Sequence, residues 1–563
     1  MADILSKLTL SEAWRRSRVE YKNFNFLGYA GDSAISYGEA DRIISTVQAF
    51  LKEQGIVPGD KVSLISESRP EWGLVYLAIV TMGAVVVPVM VDFSAEQIGN
   101  ILEHSDSRYL FASTKILKKL QNTAFIEDNR LVLIQDGFKT GICQVQNETV
   151  EFKEDGRDLF KAGLEASSVE DLTFDADEND VAAILYTSGT TGVSKGVMLS
   201  HKNITHNAMV GIPIPDTQPK DRFLSVLPLA HSYECTLGFV LPMLTGAEVC
   251  YLKGVPTARL MLKALAEVRP QQMLTVPILI EKIYRTSILP KFKKSPVLDT
   301  LYKIKPVRFL LNRFVAGKKL KELFGGNLKF FGIGGAPLAP DVEIFLREAR
   351  FPYSVGYGLT ETAPCLAGEF PAHTLFRSIG PAFRDVQLRV ADVNPETGHG
   401  EIQAKGPNIM LGYYKDEEKT AEVFTEDGWF KTGDLGYLDK KANLFIKGRL
   451  KNMILGANGE NIYPEEIEAV INGNPFVAES LVTRLGNGLV ARVELNAEKL
   501  DDFIKQLKDS PEELSRIKKE ILESIRTTTN DRLNVFSRLS ELIEQVEPFE
   551  KTPSLKIKRF LYT

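Results

Sequence analysis

Short apolar runs alternate with segments of helical periodicity along most of the chain. Four of these runs, at 62–65, 85–87, 131–134 and 181–186, have the length and β-branched content of buried strands. The segment 37–51 repeats its apolar residues at the spacing of one helix face. Because strands that alternate with helices are typical of parallel sheets covered by helices, the pattern predicts an α/β protein.

One apolar stretch, at 73–91, is nominally long enough to span a bilayer. It is preceded by Ser68 and Pro70, which mark the start of a helix, and Gly83 interrupts it. The residues after that glycine are β-branched and end in a proline, which suits a strand. We therefore predict a buried helix followed by a core strand rather than a transmembrane segment.

The pattern changes near residue 387. Short strands at 387–390 and 401–404 lie between glycine turns, which predicts a small β-rich unit over about 387–447. The chain after Lys451 has the character of a compact α+β module.

The helical signal in this last part is strong. Ser510 to Glu513 has the form of a capping box with Pro511 at the first helical position. We predict two domains, 1–450 and 451–563, with the boundary near Lys451. The apolar residues at helical spacing that follow the capping box are Leu514, Ile517, Ile521 and Ile525.

Composition narrows the class of protein. The chain has 563 residues, 44% apolar and 25% charged, with a net charge of −5, which excludes a disordered, collagen-like or disulfide-stapled protein. The near-even charge balance predicts no nucleic-acid partner. Four widely spaced cysteines without a CxxC pair predict neither a zinc site nor disulfides. The N-terminus lacks the order of a signal peptide, so a cytoplasmic location is expected.

The segment 186–196 interleaves glycines, hydroxyl side chains and a lysine between two apolar runs. Glycines let backbone N–H groups approach anionic oxygens, and the lysine adds charge. The segment differs from the P-loop, which needs consecutive glycine, lysine and serine or threonine. A glycine-serine turn without a ligand is the alternative interpretation. We predict polyphosphate binding through Thr187, Ser188, Gly189, Thr190, Thr191, Gly192 and Lys195.

This loop resembles the phosphate loop of the adenylate-forming superfamily, which includes acyl-CoA synthetases, peptide-synthetase adenylation domains and firefly luciferase. The resemblance runs from about Tyr37 to the C-terminus and is closest to the long-chain fatty acyl-CoA ligase branch. It implies a large N-terminal body of packed αβ subdomains, with a small β-rich unit, and a small mobile α+β C-terminal domain. Further motifs follow in the family's order at 227–231, 334–338, 357–362, 431–434 and 448–451.

The resemblance implies nucleotide-binding roles for these motifs. Tyr357 would stack on adenine, Asp434 would accept the ribose hydroxyls, and Arg449 would contact the ribose and the α-phosphate side. A core tyrosine, a turn aspartate and a solvated arginine are the alternatives. The matching motifs also place Gly335, Ala336 and Gly358 at nucleotide-binding positions.

Two further motifs suggest catalytic groups. Thr360 could bond phosphate and Glu361 could hold Mg²⁺ with its waters, although a helix-cap pair is the alternative. His231 resembles the family's histidine near the carboxylate site, and a satisfied core histidine is its rival.

The C-terminus resembles the family's closing motif, in which a glycine-lysine pair supplies the catalytic lysine. The match falls on Lys556, but Leu555 replaces the glycine, so Lys551 and Lys558 remain alternatives for the catalytic lysine. By the same resemblance the C-terminal domain hinges near Lys451. Its motion would remove Lys556 and present a loop whose Gly459 lets pantetheine pass.

The implied activity is ATP-dependent conversion of a fatty acid to acyl-AMP with release of pyrophosphate, followed by transfer to CoA. The implied cofactors are ATP, Mg²⁺ and CoA. Short-chain members carry a tryptophan at the position of Gly358, so a medium- or long-chain acid is expected. The alternatives are an acyl-carrier-protein synthetase, a ligase for an aromatic acid, a luciferase-like oxygenase and an inactive nucleotide-binding module.

A local charge cluster suggests a further partner. Eleven lysines and arginines and two acidic residues lie in 285–322. Val307, Leu310, Leu311 and Phe314 would share one face if this segment is helical. Such a segment could rest on the inner face of a membrane, which is one hypothesis, and a solvated face is the other.

Overall fold

The computed structural model of the chain describes residues 5–562 apart from 122, 129, 147–148, 189–193, 255, 456–460, 487, 498, 501–510 and 553–555. Two large sheets and several smaller ones are covered by helices, so the predicted α/β class is confirmed.

The first large sheet has seven strands. All neighbouring strands are parallel except the last pair at one edge. Helices cover it through a core that includes Met261, Leu320 and Val342. In spatial order its strands are Tyr353–Val355, Phe330–Ile333, Gln272–Thr275, Arg222–Ser225, Glu248–Tyr251, Asn25–Tyr29 and Ile35–Ser36.

The second large sheet has nine strands and contains all four runs predicted as buried strands. Its central strands are parallel, as the alternation of strands and helices predicted, whereas the strand pairs at both edges are antiparallel. At one edge the antiparallel strands Leu131–Ile134, Phe138–Gln146 and Thr149–Asp158 follow one another along the chain through short connections without a crossover helix. At the other edge Gly412–Tyr413 joins the sheet from a distant part of the sequence. In spatial order the strands are Gly412–Tyr413, Ser194–Ser200, Val181–Ser188, Val85–Pro88, Lys61–Ile65, Tyr109–Ser113, Leu131–Ile134, Phe138–Gln146 and Thr149–Asp158.

The apolar stretch 73–91 folds as predicted into a buried helix and a core strand. The helix Pro70–Thr81 is buried at every residue, and the chain turns at Gly83, whose φ is +83°. The hydrophobic core that contains this helix also contains Phe26 of the seven-stranded sheet and Val62 of the nine-stranded sheet. Among the described residues, no helix is long and apolar enough to cross a membrane.

Several helices begin at capping boxes in which a serine side chain and a residue three positions later bond each other's backbone N–H groups, as at Ser36, Ser94 and Ser200. Within the described residues, the α-helices are Leu10–Glu20, Tyr37–Glu53, Pro70–Thr81, Ala95–His104, Leu117–Leu120, Ala124–Glu127, Leu159–Glu165, His201–Gly211, Ser232–Cys235, Leu241–Thr245, Ala258–Val268, Pro277–Ile283, Leu289–Lys293, Pro296–Lys303, Lys305–Leu310, Gly317–Leu323, Pro340–Glu348, Glu417–Val423, Pro464–Ile471 and Pro511–Asn530.

The β-rich unit that the short strands and glycine turns predicted contains a four-stranded sheet, and its neighbouring strands are antiparallel. Its strands are Gln387–Ala391, Gly400–Lys405, Phe430–Leu438 and Leu444–Arg449.

The C-terminal part has a hydrophobic core of its own. The buried members of that core are all drawn from residues after Lys451, which agrees with the predicted division, and the division itself stays a prediction. The helix Pro511–Asn530 lies where it was predicted, while the capping serine Ser510 is outside the described residues. The sheet of this part comprises Val477–Leu485, Gly488–Leu495 and Leu539–Glu544, and a two-stranded ribbon joins Ile454–Leu455 to Asn461–Ile462.

Candidate functional site

The predicted phosphate loop connects two antiparallel strands of the nine-stranded sheet, in which Lys195 pairs with Thr187 and Ser194 with Ser188. The Lys195 ammonium lies 4.8 Å from the centroid of the Tyr413 ring. The positions Gly189, Thr190, Thr191 and Gly192 lie outside the described residues.

Asp434 is the centre of a buried polar cluster. Tyr357 Oη donates to its Oδ2 at 2.6 Å, and Arg449 Nε pairs with its Oδ1 at 2.8 Å. Asp434 and Arg449 are paired residues of adjacent strands of the four-stranded sheet. Burial raises the pKa of Asp434, and the charge of Arg449 opposes that shift. Each carboxylate oxygen keeps a further lone pair with which it can accept a ligand hydroxyl.

Glu361 is held by a residue that we did not identify from the sequence. Tyr413 Oη donates to Glu361 Oε1 at 3.0 Å. Since the same ring faces Lys195, Tyr413 joins the strand after the phosphate loop to the Glu361 motif. Thr360 and Glu361 form a short 3₁₀ turn with Thr362. In the sequence, Tyr413 has no sign of this role beyond being an aromatic residue in a short strand.

Gly358 is fixed by a close approach of two backbones. The strand Tyr357–Gly358 pairs with Cys365–Ala367, and a Cβ atom on Gly358 would lie 1.8 Å from the carbonyl oxygen of Pro364. Gly335 has a φ of +83° and follows the strand Phe330–Ile333, so it lies with Ala336 at the carboxyl edge of the seven-stranded sheet. This backbone contact requires a glycine at position 358, whatever the size of the acyl pocket.

We expect Gly358→Ala to lower the stability of the protein by at least about 1–3 kcal/mol, because backbone cannot yield as a flexible side chain does. Thermal unfolding measures the change. The matched control is Gly99→Ala, in the helix Ala95–His104, where an added Cβ meets nothing within 4 Å. That control should be neutral or stabilising by up to about 1 kcal/mol. Equal unfolding temperatures for the two variants would contradict the packing argument.

His231 precedes the short helix Ser232–Cys235, and its Nδ1 accepts from the backbone N–H of Tyr233 at 3.3 Å. Burial, and secondarily the charge of Lys556, lower the pKa of His231 to about 4. The imidazole is therefore neutral at pH 7 and available as a hydrogen-bonding group. Because the charge of Lys556 acts on the pKa of His231, the 227–231 motif and the C-terminal motif lie within electrostatic range of each other.

The lowered pKa of His231 predicts a specific loss of stability in acid. The unfolded chain protonates this group near pH 6.5 and the folded chain only near pH 4, so stability present above pH 6.5 falls by about 3 kcal/mol as the pH decreases through this range. Thermal unfolding at pH 7 and pH 4 measures it. The difference between the two pH values should shrink in His231→Gln and not in His373→Gln, which changes an exposed histidine. An unchanged pH dependence in His231→Gln would contradict the assignment.

The three candidate lysines of the C-terminus have different surroundings. Lys551 pairs with Glu479 at 2.7 Å and Lys558 with Glu550 at 3.2 Å. Lys556 instead faces the site. The Lys556 side chain is exposed at the surface, yet the protein atoms around it partly desolvate the ammonium, and this desolvation and then the charge of Arg449 lower its pKa.

The charges of Asp434 and Glu361 act to raise the pKa of Lys556 and so oppose this lowering. Both carboxylates therefore lie within electrostatic range of that ammonium. The structure therefore favours Lys556 over its two neighbours, and its catalytic role stays a prediction.

Lys451 completes a cluster of four cations. It lies in the 3₁₀ turn Leu450–Asn452, directly after Arg449. Desolvation, followed by the charges of Arg449 and Lys195, lowers its pKa, and Lys556 contributes in the same direction. Four positive groups thus converge on two carboxylates, which is an arrangement suited to a polyanion. Gly459 lies outside the described residues.

An apolar cavity of about 40 Å³ lies beside these motifs. Tyr233, two residues after His231, and Gly356, next to Tyr357, both line it. Its other walls are mainly apolar and include Leu237, Leu274 and Phe330. We did not predict these walls, because they come from segments far apart in the sequence.

Within the described residues, no group of three or more histidines, cysteines, aspartates and glutamates could hold a metal ion. A single carboxylate such as Glu361 still fits a Mg²⁺ ion that takes its remaining ligands from water and phosphate. The Glu361 oxygen not bonded by Tyr413 is the protein atom suited to that contact.

Comparison with known proteins agrees with the motifs. The model of the AMP-binding enzyme family matches residues 14–414. Long chain acyl-CoA synthetase 7 of Arabidopsis thaliana, a peroxisomal protein, is 31% identical over 569 residues, which cover 94% of this chain and 79% of the relative. Long-chain-fatty-acid–CoA ligase 5 of Rattus norvegicus is 30% identical over 605 residues, which cover 98% and 86%.

Among solved structures, the ATP-bound RpMatB-BxBclM chimera B1 matches with a TM-score of 0.74 and 25% identity over 98% of each chain. The match extends through both the N-terminal body and the C-terminal part, so the adenylate-forming fold is confirmed. The family model and the relatives therefore show that the chain belongs to the AMP-binding, adenylate-forming enzymes, in their long-chain acyl-CoA ligase branch.

Proposed function

We propose that the protein joins a medium- or long-chain fatty acid to CoA in two steps, with ATP as the activating substrate. The observation that carries the proposal is the convergence of Lys195, Arg449, Lys451 and Lys556 on Asp434 and Glu361 beside an apolar cavity. The charged cluster suits the triphosphate, and the cavity suits an acyl chain.

In the first step a carboxylate oxygen of the fatty acid attacks the α-phosphorus of ATP. The new oxygen–phosphorus bond gives acyl-AMP, and the bond to the β-phosphate breaks to release pyrophosphate. The barrier is largely electrostatic, since two anions must meet. Lys556 and Arg449 oppose this repulsion, and Tyr357 and Asp434 orient the nucleoside.

Glu361 would hold a Mg²⁺ ion together with phosphate oxygens and water. Such an ion supplies positive charge to the triphosphate and the departing pyrophosphate. Tyr413 fixes one oxygen of Glu361, and the other carboxylate oxygen would serve as the ligand of the ion. Thr360 and the donors of the phosphate loop would bind the phosphates themselves.

In the second step the CoA thiolate attacks the acyl carbonyl carbon, and AMP leaves. The thiol needs access to the face that Lys556 occupies, so the C-terminal domain must move. We place the hinge at Lys451, because the core of the C-terminal part is separate from that of the body. The movement would bring the loop with Gly459 to the site.

The acyl chain would occupy the cavity lined by Tyr233 and Leu237. A volume of about 40 Å³ is smaller than a long chain, so the walls must open when the acid binds. Leu237 is partly exposed and belongs to the wall that would have to move. Each buried methylene adds about 0.8 kcal/mol, and the length that the opened cavity accepts therefore sets the preferred acid.

A pyrophosphate-release screen tests this function. Acids of increasing chain length, aromatic acids and acetate are supplied with ATP and Mg²⁺, and thioester is then measured with free CoA or with a holo acyl carrier protein. We expect release with medium or long fatty acids and thioester with free CoA. Pyrophosphate release with aromatic acids alone would contradict the proposed substrate, and transfer only to the carrier protein would contradict CoA as the acceptor.

We also propose that the enzyme lies peripherally on the inner face of a membrane, where water-insoluble acids accumulate.

A further inference from the structure

The helical segment from Pro277 to Leu323, here called the basic face, exposes an unusual number of large apolar side chains. The segment consists of short α-helices joined by π-helical turns at Tyr284–Ile288 and Leu311–Ala316. The exposed apolar side chains are Ile278, Val297, Leu301, Ile304, Phe309, Leu310, Phe314, Val315 and Leu323. Val297 and Phe314 are 70% and 65% exposed, so these groups lie in solvent rather than in partly covered grooves.

The segment is held firmly from its inner side. Phe292 and Tyr302 are buried and stack at 4.6 Å between ring centroids, and Tyr302 Oη donates to Asn312 Oδ1 at 2.9 Å. Leu320 belongs to the core that covers the seven-stranded sheet. Because the inner side chains are already packed, the outer apolar groups have no place in the fold into which they could turn.

Cations alternate with the exposed apolar groups along this segment, and the Arg313 guanidinium lies 5.9 Å from the centroid of the Phe314 ring. Of the eleven lysines and arginines in 285–322, three form salt bridges, namely Arg285, Lys303 and Arg308. The other eight have no salt-bridge partner in the described part of the chain, and they are Lys291, Lys293, Lys294, Lys305, Arg313, Lys318, Lys319 and Lys321. This local excess of positive charge contrasts with the net charge of −5 of the whole protein.

A merely solvated helix surface explains the lysines and leaves the apolar groups unexplained. Single exposed apolar residues are normal, whereas a cluster rimmed by charge marks an interaction surface. Cations between large apolar side chains match what an anionic bilayer offers, namely negative head groups above an apolar layer.

We propose that the basic face docks on the surface of an anionic lipid bilayer, with Phe309, Leu310 and Phe314 inserted at the head-group level. This docking surface rests on the proposed function in one respect only: a fatty-acid ligase would benefit from it, because an anionic bilayer would deliver its apolar substrate. Docking itself is a property of the surface and can be measured without catalysis.

Cosedimentation with vesicles tests the charge contribution. We expect binding to phosphatidylcholine vesicles that contain phosphatidylglycerol, and little binding to pure phosphatidylcholine or at 0.5 M salt. Lys291→Glu, Lys293→Glu and Lys294→Glu together should weaken binding at least about 10²-fold. The matched control reverses three exposed lysines elsewhere, Lys118, Lys440 and Lys441, and should bind as the unaltered protein does.

The apolar contribution needs separate variants. Phe309→Ser with Phe314→Ser should weaken binding to anionic vesicles about tenfold or more, whereas Val535→Ser with Val546→Ser, which removes two apolar groups that are more exposed than either phenylalanine, should not. In Phe314→Trp the fluorescence of the introduced indole should be quenched by brominated lipid, and in Val546→Trp it should not. Equal binding by all variants, or equal quenching at both positions, would overturn the proposal.

A soluble-substrate assay separates this inference from the proposed function. Each variant is assayed for pyrophosphate release with octanoate in the absence of vesicles, and each should retain the full rate because none alters the site. Retained activity without vesicle binding by the unaltered protein refutes docking alone. Vesicle binding without pyrophosphate release from any acid refutes the proposed activity alone.

Discussion

Replacing Lys556 with alanine should slow acyl-adenylate formation at least about 10²-fold, while thioester formation from supplied acyl-AMP continues at a near-normal rate. The loss follows from the position of Lys556, which lies within electrostatic range of Arg449, Asp434 and Glu361. Removing one preorganised donor from a charge-stabilising site commonly costs this factor. The second step is spared because it needs the lysine to leave the site.

Single-turnover kinetics separate the two steps, with pyrophosphate release as the readout of the first and CoA thioester as the readout of the second. The control is Lys558→Ala, which removes a lysine two positions away that pairs with Glu550. It should leave both steps within about threefold of the unaltered enzyme, since an exposed salt bridge contributes little. Equal losses in both steps for Lys556→Ala, or a larger loss for Lys558→Ala, would show that the catalytic lysine is misassigned.

Replacing Asp434 with alanine should lower kcat/KM for ATP at least about 10²-fold, chiefly through a higher KM. Two hydrogen bonds from ribose hydroxyls to a carboxylate would be lost, each contributing about 1.5–3 kcal/mol. Arg449 and Tyr357 would also lose the partner that holds them, because both bond to Asp434. Steady-state kinetics with varied ATP at saturating fatty acid measure the change.

The matched control is Asp427→Ala, which removes a carboxylate of the same unit that pairs with Arg389 at 2.7 Å on the exposed side. It should leave KM for ATP unchanged. Since Asp434 is buried, Asp434→Asn is examined in parallel, because it keeps the shape and the hydrogen bonds of the neutral form. The asparagine variant should fold normally and still bind ATP more weakly. Unchanged affinity in a folded Asp434→Asn protein would contradict the nucleoside-binding role.

Patterns within short stretches of sequence determined much of the architecture. Apolar runs and glycine positions located four strands of the nine-stranded sheet, the helix Pro70–Thr81 and the β-rich unit. Such patterns are local because burial on one face of a helix or strand repeats at the period of that element. The order of the motifs also pointed to the family, and the family model and relatives confirmed it.

The tertiary structure decided the partners within the site. Tyr357 and Asp434 are 77 positions apart, and Glu361 and Tyr413 are 52 apart, so no spacing along the chain indicates either contact. The structure also distinguished Lys556 from Lys551 and Lys558, which a substituted glycine had left as alternatives, by placing the latter two in salt bridges elsewhere.

The same holds for the clash that keeps Gly358 without a side chain and for the walls of the apolar cavity. The sequence by itself thus determined which elements form and which family they belong to, because those properties depend on local periodicity and ordered motifs. Which side chains meet was decided by the folded chain alone, because contacts between distant segments depend on the order of strands in each sheet and on the packing between sheets.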